Sequence, residues 1–290
     1  MVVPRVELLN PSRTRRREVI KSLAHYQNQL REKGPKRIIV DRWRWYKTSF
    51  QMDNWAIGRV IELTGNTVTL DGIKLRLDNP LVSTRHKSSI YFGMYEIEER
   101  DFSKRFIDRT LPTIEIGGSL GGVACITNKL LANPYRHVVV ECNPIMLPTL
   151  THNRNLNECT FFIEPCAIAY GTDSVSFSIS DHFMLGGIHA DGRKITVPAT
   201  TLADLMRKHG FETINVITDC EGAEVEIVEN ELDLLRQRVA WIIMEAHEKE
   251  RGTEAIAKMF SSLESAGFEI VARDPEKLVF ALRNRALSNQ

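Results

Sequence analysis

Four side chains that could take part in proton transfer stand where apolar, strand-like runs of the sequence end. They are Glu141, Asp219, Glu221 and His247. If these runs form parallel strands, their carboxyl ends meet at one edge of the sheet, where ligands bind in such folds. Histidine titrates near neutral pH, so His247 could accept a proton or orient the group that does. The sequence therefore predicts acid–base chemistry at this edge, with Glu221 and His247 as candidate bases and Asp219 beside them.

Each of these side chains also has a structural explanation. Glu221 and Glu224 could do no more than cap the helix that follows, because carboxylates are favourable near a helix N-terminus. His247 could be a surface residue, although Glu245 two positions before it favours a shared site. Glu141 could be an exposed carboxylate at the end of a strand. The sequence leaves these alternatives open.

A glycine-rich turn, EIGGSLGG, runs from Glu115 to Gly122 after a strand-like run. Glycines there let the backbone turn sharply and let a ligand approach the following helix closely. The turn does not match the GxGxxG dinucleotide pattern, because Ser119 interrupts it. Glu141 stands 20 residues beyond Gly121, where a carboxylate can accept hydrogen bonds from both hydroxyls of an adenosine ribose. The turn and this carboxylate together predict a nucleoside site.

The first part of the chain reads as a small extension. A helix is predicted over Ser12–Gly34, which Gly34-Pro35 ends. Alternating apolar residues and turn signals then predict the strands Arg37–Val40, Gly58–Leu63, Thr67–Leu70 and Ile73–Leu77. Tyr91–Arg109 is expected to be partly helical.

From Leu111 onward strand-like and helix-like runs alternate, which predicts a mainly parallel sheet covered on both faces. The predicted strands are Thr113–Ile116, Val138–Glu141, Thr160–Ile163, Ile214–Thr218 and Val239–Met244. The predicted helices are Val123–Ala132, Pro144–Asn155, Thr201–Lys208, Ala223–Leu235 and Glu254–Ala266. A tight turn joins the last two strands, Glu269–Ala272 and Lys277–Leu282, so they must be antiparallel.

An insertion, Ser174–Val197, interrupts the alternation of strands and helices. His182 and His189 flank two glycines in it and could belong to a substrate lid, although a plain loop explains them as well.

Three tryptophans that precede the alternating strands and helices are candidates for ligand binding, because they stand among basic residues and could stack on a sugar or a base. They are Trp43, Trp45 and Trp55. Alternating Trp and Arg also suits one strand with an apolar face, which we favour.

The composition excludes several classes of protein. The chain has 290 residues, 43% of them hydrophobic, so it can bury a large core. It has no apolar run near the roughly 20 residues that a membrane-spanning helix needs, and no apolar signal core, so we expect a cytoplasmic protein. Five cysteines without a CxxC pair agree with a reduced compartment. Neither a structural zinc nor another metal is expected.

Charge is distributed unevenly along the chain. Residues 1–50 hold 13 Lys and Arg against 4 Asp and Glu, although the whole chain has a net charge of +1. A basic segment of this kind can bind a polyanion such as nucleic acid. It can equally be a solvated helix face beside an acidic body, which is the simpler explanation.

Seven segments of the sequence occur in an order that one enzyme family shares. They are YFGMYEIEE (Tyr91–Glu99), TIEIGGSLGG (Thr113–Gly122), VVVECNP (Val138–Pro144), LTHNRNLN (Leu150–Asn157), TLADL (Thr201–Leu205), TDCEGAEVEIV (Thr218–Val228) and IIMEAH (Ile242–His247). In these segments the chain resembles the FkbM family of class I S-adenosylmethionine-dependent methyltransferases, from about Gly93 to the C-terminus. The resemblance implies a Rossmann-like α/β fold whose mainly parallel seven-stranded sheet has an antiparallel C-terminal strand. It implies two parts, an N-terminal helix and β-rich extension over residues 1–104 and the methyltransferase domain over residues 105–290.

The resemblance also implies a function, O-methylation of a hydroxyl on a small-molecule or glycan acceptor such as a sugar or a polyketide-type metabolite. It implies contacts with S-adenosylmethionine from Glu115, Gly117, Gly118, Ser119, Gly121, Glu141, Cys142, Asn143, Cys166, Ala167 and Asp219. The chain departs from the family in one place, because a lysine usually stands two residues before Asp219 and this chain has Ile217. Two alternatives remain: a nucleic-acid methyltransferase that uses the basic segment, and a non-catalytic binding module on the same fold.

Overall fold

The computed structural model describes residues 54–179, 193–274 and 278–287, which belong to one compact unit. Its helices are α1 (Trp55–Leu63), α2 (Thr84–Tyr91), α3 (Ile97–Phe106), α4 (Gly122–Leu130), α5 (Leu147–Leu156), α6 (Leu202–His209), α7 (Ala223–Arg238), α8 (Glu248–Arg251) and α9 (Thr253–Ser265). Its strands are β1 (Thr67–Leu70), β2 (Ile73–Arg76), β3 (Thr113–Ile116), β4 (His137–Val140), β5 (Phe162–Glu164), β6 (Ala167–Ile168), β7 (Ser174–Ile179), β8 (Arg193–Thr200), β9 (Ile214–Thr218), β10 (Val239–Glu245), β11 (Phe268–Asp274) and β12 (Val279–Asn284).

Seven strands form the central sheet, in the order β11-β12-β10-β9-β3-β4-β5. Strands β3, β4, β5, β9 and β10 are parallel, and β12 is antiparallel to both of its neighbours. The expected mainly parallel sheet with an antiparallel C-terminal strand is thereby confirmed. The strand order reverses between β3 and β9, and ligands bind beyond the carboxyl ends of the strands at such a point.

Helices cover both faces of the sheet, because its inner strands are apolar on both faces. All five residues of β9 are buried. Leu205 of α6, Val228 of α7 and Leu263 of α9 pack in the core on one face. Phe102 of α3 and Leu150 of α5 belong to the cores of the other face, to which α4 also contributes. The packed helices hold the carboxyl edge of the sheet in place.

Asn153 of α5 and Asn157, which directly follows that helix, hold the hairpin β1–β2 against α5. The Asn153 side chain accepts from the N–H of Arg76 at 2.7 Å and donates to its carbonyl at 3.2 Å. The Asn157 side chain does the same for Lys74, at 2.8 and 2.7 Å. Side-chain amides thus pair with the β2 backbone as a neighbouring strand would. The LTHNRNLN segment therefore has a structural role in this chain.

One predicted strand, Gly58–Leu63, lies inside helix α1, so that prediction is wrong. The helix begins after Asn54, whose side chain accepts a hydrogen bond from the N–H of Ile57 at 3.1 Å. Such a cap satisfies a free N–H group of the first turn. Gly58 lies so close to α2 that a Cβ there would be 1.7 Å from the carbonyl oxygen of Thr84. Capping and helix packing override the strand tendency of this short run.

The insertion contains a β-hairpin, since β7 and β8 pair antiparallel and β6 joins them in a small three-stranded sheet. Trp55 is on helix α1 and not on a strand. Helix α3 crosses the domain boundary drawn after residue 104, and that boundary stays a prediction. Other predicted features lie outside the described residues: the helix Ser12–Gly34, the strand Arg37–Val40, Trp43, Trp45, His182 and His189. Within the described ranges, no helix combines the length and the apolar character that crossing a bilayer requires.

Candidate active site at the carboxyl edge of the sheet

The glycine turn joins β3 to α4 and connects the ends of three strands. The N–H groups of Gly117 and Gly118 donate to the carbonyl of Val140 at 3.0 and 3.1 Å, which ties the turn to β4. On its other side, the N–H of Asp219 donates to the carbonyl of Ile116 at 3.0 Å. Gly117 has a φ of +98°, and a Cβ there would be 1.9 Å from the carbonyl oxygen of Asp219. Only glycine fits this position, because any side chain would displace a backbone.

Glu141 is oriented by backbone groups of two loops. The N–H of Ser119 donates to its Oε2 at 2.7 Å, and the N–H of Asn143 donates to its Oε1 at 2.7 Å. Ser119, in the place of a middle glycine, has a left-handed φ of +43°. Burial raises the pKa of Glu141, and these two hydrogen bonds oppose that shift. Each carboxylate oxygen can accept a further hydrogen bond, so Glu141 can still bind hydroxyl groups.

Two cysteines lie next to Glu141 along the same edge. The carbonyl of Glu164 accepts from the N–H of Glu141 and from the N–H of Cys166, both at 3.0 Å. Cys142 is half-buried, and Ala167 is buried at the start of β6. Burial raises the pKa of both thiols. The cysteines are therefore neutral and suit the wall of a binding site better than a reactive role.

Glu115 lies inside the fold, beside a buried histidine. Its side chain is 3% exposed, and its Oε2 is 3.7 Å from Nε2 of His137. Neither atom has a hydrogen-bond partner among the described residues. Burial raises the pKa of Glu115 and lowers that of His137 to about 3. Burial thus favours the neutral form of both groups, and the Glu115 carboxyl group faces His137 inside the fold.

A histidine and three carboxylates meet where β9 and β10 end, and we call them the strand-end cluster: Asp219, Glu221, Glu224 and His247. Nδ1 of His247 is 3.1 Å from Oε1 of Glu224. Its Nε2 is 3.4 Å from Oδ1 of Asp219 and 3.7 Å from Oε2 of Glu221. The structure thus brings together the three residues that the sequence predicts for catalysis.

Glu224 joins the start of α7 to the end of β10. Its fully buried carboxylate accepts hydrogen bonds from the N–H of Gly222 at 3.0 Å and from the N–H of His247 at 2.8 Å. Although burial alone would raise it, the hydrogen bond from the His247 side chain lowers the pKa of Glu224. Glu224 therefore positions His247 as well as capping α7.

The two candidate bases, Glu221 and His247, differ in their pKa because of the groups around them. Burial alone would lower the pKa of His247, but hydrogen bonds to Asp219 and Glu224 raise it to about 12. An imidazolium has no free lone pair, so His247 is not a base in this state. Burial raises the pKa of Glu221 to about 7, against the attraction of His247. Glu221, with a left-handed φ of +54°, is thus the group whose pKa suits proton removal near neutral pH.

Acidic side chains from α3 complete the site, and sequence reasoning did not assign them a role. Glu99 is 3% exposed and hydrogen-bonds to Glu245 at the end of β10. Burial, followed by the negative charge of Asp219, raises the pKa of Glu99 to about 7 and that of Glu245 to about 9. Glu96 precedes α3, and its Oε2 would be 3.2 Å from a Cβ at Gly122. The YFGMYEIEE segment contains two of these acids, but nothing in its spacing shows where they point.

This group of acids predicts how stability depends on pH. The raised pKa of Glu221 and Glu245 means that the native state binds more protons than the unfolded chain above about pH 4.5, so stability falls as pH rises. His247, whose pKa is also raised, gives full stabilisation below about pH 6.5 and loses it towards higher pH. Both effects have the same sign. We expect the melting temperature to fall between about pH 6 and pH 9.

Thermal melts of wild type and two variants check this dependence. Glu245→Gln should flatten the profile, because glutamine cannot lose a proton. Glu269→Gln is the control: its pKa is lowered by the arginines beside it, so Glu269 stays ionised over this range in both states. A melting temperature that is constant or rises from about pH 6 to pH 9 would contradict the predicted electrostatics.

Comparison with known proteins identifies a family match over this site. The model of the family "Methyltransferase FkbM domain" matches residues 115–270, which is more than half of the chain. The matched range begins at the glycine turn and includes the strand-end cluster. The comparison with curated proteins finds no match.

Several solved structures are similar to this chain at low identity. Fibrillarin from Aeropyrum pernix, in complex with natively bound S-adenosyl-L-methionine, is 13% identical, with 65% of this chain and 73% of that chain covered and a TM-score of 0.38. Precorrin-6y C5,15-methyltransferase from Geobacter metallireducens is 15% identical, with coverages of 64% and 87% and a TM-score of 0.38. A protein in the NADB-Rossmann superfamily from Streptococcus agalactiae is 13% identical, with coverages of 64% and 68% and a TM-score of 0.40.

Proposed function

The chain belongs to the FkbM methyltransferase domain family, and we propose that it transfers a methyl group from S-adenosylmethionine to a hydroxyl oxygen of a small-molecule or glycan acceptor. One observation supports the hydroxyl acceptor most: Glu221, with a pKa raised to about 7, stands two residues after Asp219, whose backbone contacts the glycine turn. A neutral hydroxyl must lose its proton when it is methylated, and a base with such a pKa is suited to remove it. The proposed compartment is the cytoplasm, on the cysteine usage of the sequence.

The residues at the carboxyl edge fit S-adenosylmethionine. Glu141 has a free lone pair on each carboxylate oxygen for the ribose hydroxyls. The carboxylate of Asp219, next to the glycine turn, suits the positive charge of the sulfonium. When bound, S-adenosylmethionine supplies a methyl group on a positively charged sulfur atom. Gly117 contributes by its lack of a side chain, which lets the turn approach Asp219.

In the proposed mechanism the protein positions the acceptor and removes its proton. Glu221 accepts the proton of the acceptor hydroxyl through its carboxylate. The imidazolium of His247, 3.7 Å from Glu221 and 3.4 Å from Asp219, stabilises both carboxylates and orients them. Glu224 holds His247 in this orientation through Nδ1. Holding the reacting groups in line contributes the largest part of the acceleration in such a displacement.

Removal of the Glu141 carboxylate tests the donor site, which is the site proposed for the methyl donor S-adenosylmethionine. Glu141→Ala should weaken S-adenosylmethionine binding by about 1.5–3 kcal/mol, the range for hydrogen bonds to a charged group. Isothermal titration calorimetry measures this loss, and circular dichroism checks the fold. Glu229→Ala is the control, because it removes an exposed carboxylate of α7 that pairs with Lys258, and it should bind as wild type does. Unchanged affinity of a folded Glu141→Ala protein would remove Glu141 from the donor site.

The acceptor class is tested by the release of S-adenosylhomocysteine. Wild-type protein should release it in the presence of hydroxyl-bearing sugars, glycans or polyketide-type compounds, with the methyl group found on oxygen by mass spectrometry. A methyl group found only on nitrogen would contradict the hydroxyl acceptor and leave the methyltransferase activity standing. RNA or DNA as the only substrate would favour the alternative in which the basic N-terminal segment binds nucleic acid.

A further inference from the structure

A second kind of ligand fits the same edge of the sheet. We propose that Asp219, Glu245 and His247 bind one divalent metal ion, and we call these three residues the metal triad. They stand at the ends of two neighbouring strands, Asp219 after β9 and the other two at the end of β10. All three are partly exposed, so an ion can reach them from solvent. The inference is independent of the proposed function, because metal binding can be measured without methyl transfer.

The distances within the metal triad suit a shared ion. One ligand atom of each residue lies within 4.8 Å of the other two, and Nε2 of His247 is 3.4 Å from Oδ1 of Asp219. Ligands about 2.1 Å from one ion are roughly 3.0–3.4 Å apart in octahedral or tetrahedral geometry. Small side-chain rotations would therefore convert the cluster into a coordination site.

His247 is already held as a metal-binding histidine is. Its side chain is nine-tenths buried, and Nδ1 lies 3.1 Å from the fully buried carboxylate of Glu224. Histidines that bind a metal usually donate their other ring N–H group to a carboxylate, which fixes the tautomer and the ring orientation. With Nδ1 engaged in this way, Nε2 faces Oδ1 of Asp219, a member of the metal triad, at 3.4 Å. This contact is an observation separate from the spacing of the three ligands.

The charges around the metal triad favour a cation. Glu99 hydrogen-bonds to Glu245, and Glu221 lies 3.7 Å from Nε2 of His247. Among the described residues of this group, His247 supplies the positive charge. A divalent ion would neutralise more of the negative charge of the carboxylates, and it would compete with the proton for Nε2 of His247.

The ligand types indicate which ions to test. Two carboxylates and one imidazole suit Mn²⁺, Fe²⁺ or Zn²⁺, whereas Ca²⁺ and Mg²⁺ favour oxygen ligands alone. Three protein ligands leave coordination positions open for an acceptor hydroxyl. An ion in this place would hold the acceptor oxygen beside Glu221 and would lower the pKa of the acceptor hydroxyl, which adds a second way to activate the acceptor.

Metal binding is tested on the full chain without a histidine tag, after treatment with chelator. The loss of the free Mn²⁺ signal in electron paramagnetic resonance should show one site per chain, and Zn²⁺ should compete for it. Asp219→Asn, Glu245→Gln and His247→Gln should each weaken Mn²⁺ binding at least about 10-fold. Glu224→Gln, which changes the partner of Nδ1 and leaves the three proposed ligands in place, should weaken it about 10–100-fold.

The control is a histidine–carboxylate pair elsewhere on the sheet. Nε2 of His209 is 2.7 Å from Oε1 of Glu164 on β5, four strands away from β10. His209→Gln should leave Mn²⁺ binding unchanged. If wild type binds no Mn²⁺, or if the folded triad variants bind it as wild type does, the metal site is refuted. Methyl transfer by a protein that binds no Mn²⁺ would refute the metal site and leave the proposed function intact. Binding of Mn²⁺ by a protein that does not bind S-adenosylmethionine would support the metal site and contradict the proposed function.

Discussion

Replacing Glu221 by glutamine is expected to lower the turnover number by about 10²–10⁴-fold, the usual contribution of a general base. The variant should keep the wild-type affinity for S-adenosylmethionine, because Glu221 acts on the acceptor and its contribution appears in the transition state. Glutamine has nearly the same shape as glutamate but cannot accept the proton. The pKa of Glu221, raised to about 7 by burial, makes it the preferred base over His247.

Paired measurements are needed for this prediction: donor affinity by calorimetry and turnover with an accepted substrate. Glu229→Gln on α7 is the control, because Glu229 is exposed and pairs with Lys258. It should change neither quantity. His247→Ala should also lower turnover, since it releases the carboxylates that His247 orients. If Glu221→Gln and His247→Ala both retain near-wild-type turnover, catalysis does not use a base at this place.

Replacing Gly117 by valine is expected to abolish donor binding. A Cβ at this position would be 1.9 Å from the carbonyl oxygen of Asp219, and the φ of +98° is unfavourable for valine. The turn and the end of β9 would have to separate, which would displace Asp219 and the cluster around it. Calorimetry with S-adenosylmethionine measures the loss, after circular dichroism has shown that the protein is folded.

Substitutions at two further glycines distinguish the contact with Asp219 from backbone strain as the cause of this effect. Gly171 has a φ of +72°, and no atom lies within 4 Å of the place that a Cβ would take, so Gly171→Val carries the backbone strain alone and should bind the donor normally. At Gly122 a Cβ would meet the ring of Tyr95 at 2.9 Å, which is a side chain that can shift, so Gly122→Ala should be milder. Equal effects at Gly117 and Gly122 would show that the contact with Asp219 is not the cause.

The site residues that could be predicted from the sequence are those that follow a strand. Glu141, Asp219 and His247 follow buried strands, and parallel strands place their carboxyl ends at one edge. Their proximity could therefore be predicted from the order of the elements. The glycine turn was predictable for the same reason, because it connects the first of these strands to its helix.

Residues whose role depends on tertiary packing could not be predicted in this way. Glu99 reaches Glu245 across more than a hundred positions, from a helix outside the alternating pattern. Glu115 stands next to the glycine turn in sequence, but its carboxyl group contacts His137 inside the fold. The pKa of about 12 for His247 arises from Asp219 and Glu224, two carboxylates that meet the imidazole only in the folded chain. The helix over Gly58–Leu63 could not be predicted, because the packing of α1 on α2 has no local signal.

A crystal structure of the chain with bound S-adenosylmethionine tests the proposed donor site without the need for an acceptor. We expect the ribose hydroxyls to lie within hydrogen-bond distance of Glu141 and the methyl group to point towards Glu221 and the rest of the strand-end cluster. A donor bound away from Glu141, or with its methyl group turned away from Asp219, Glu221 and His247, would contradict the proposed donor site.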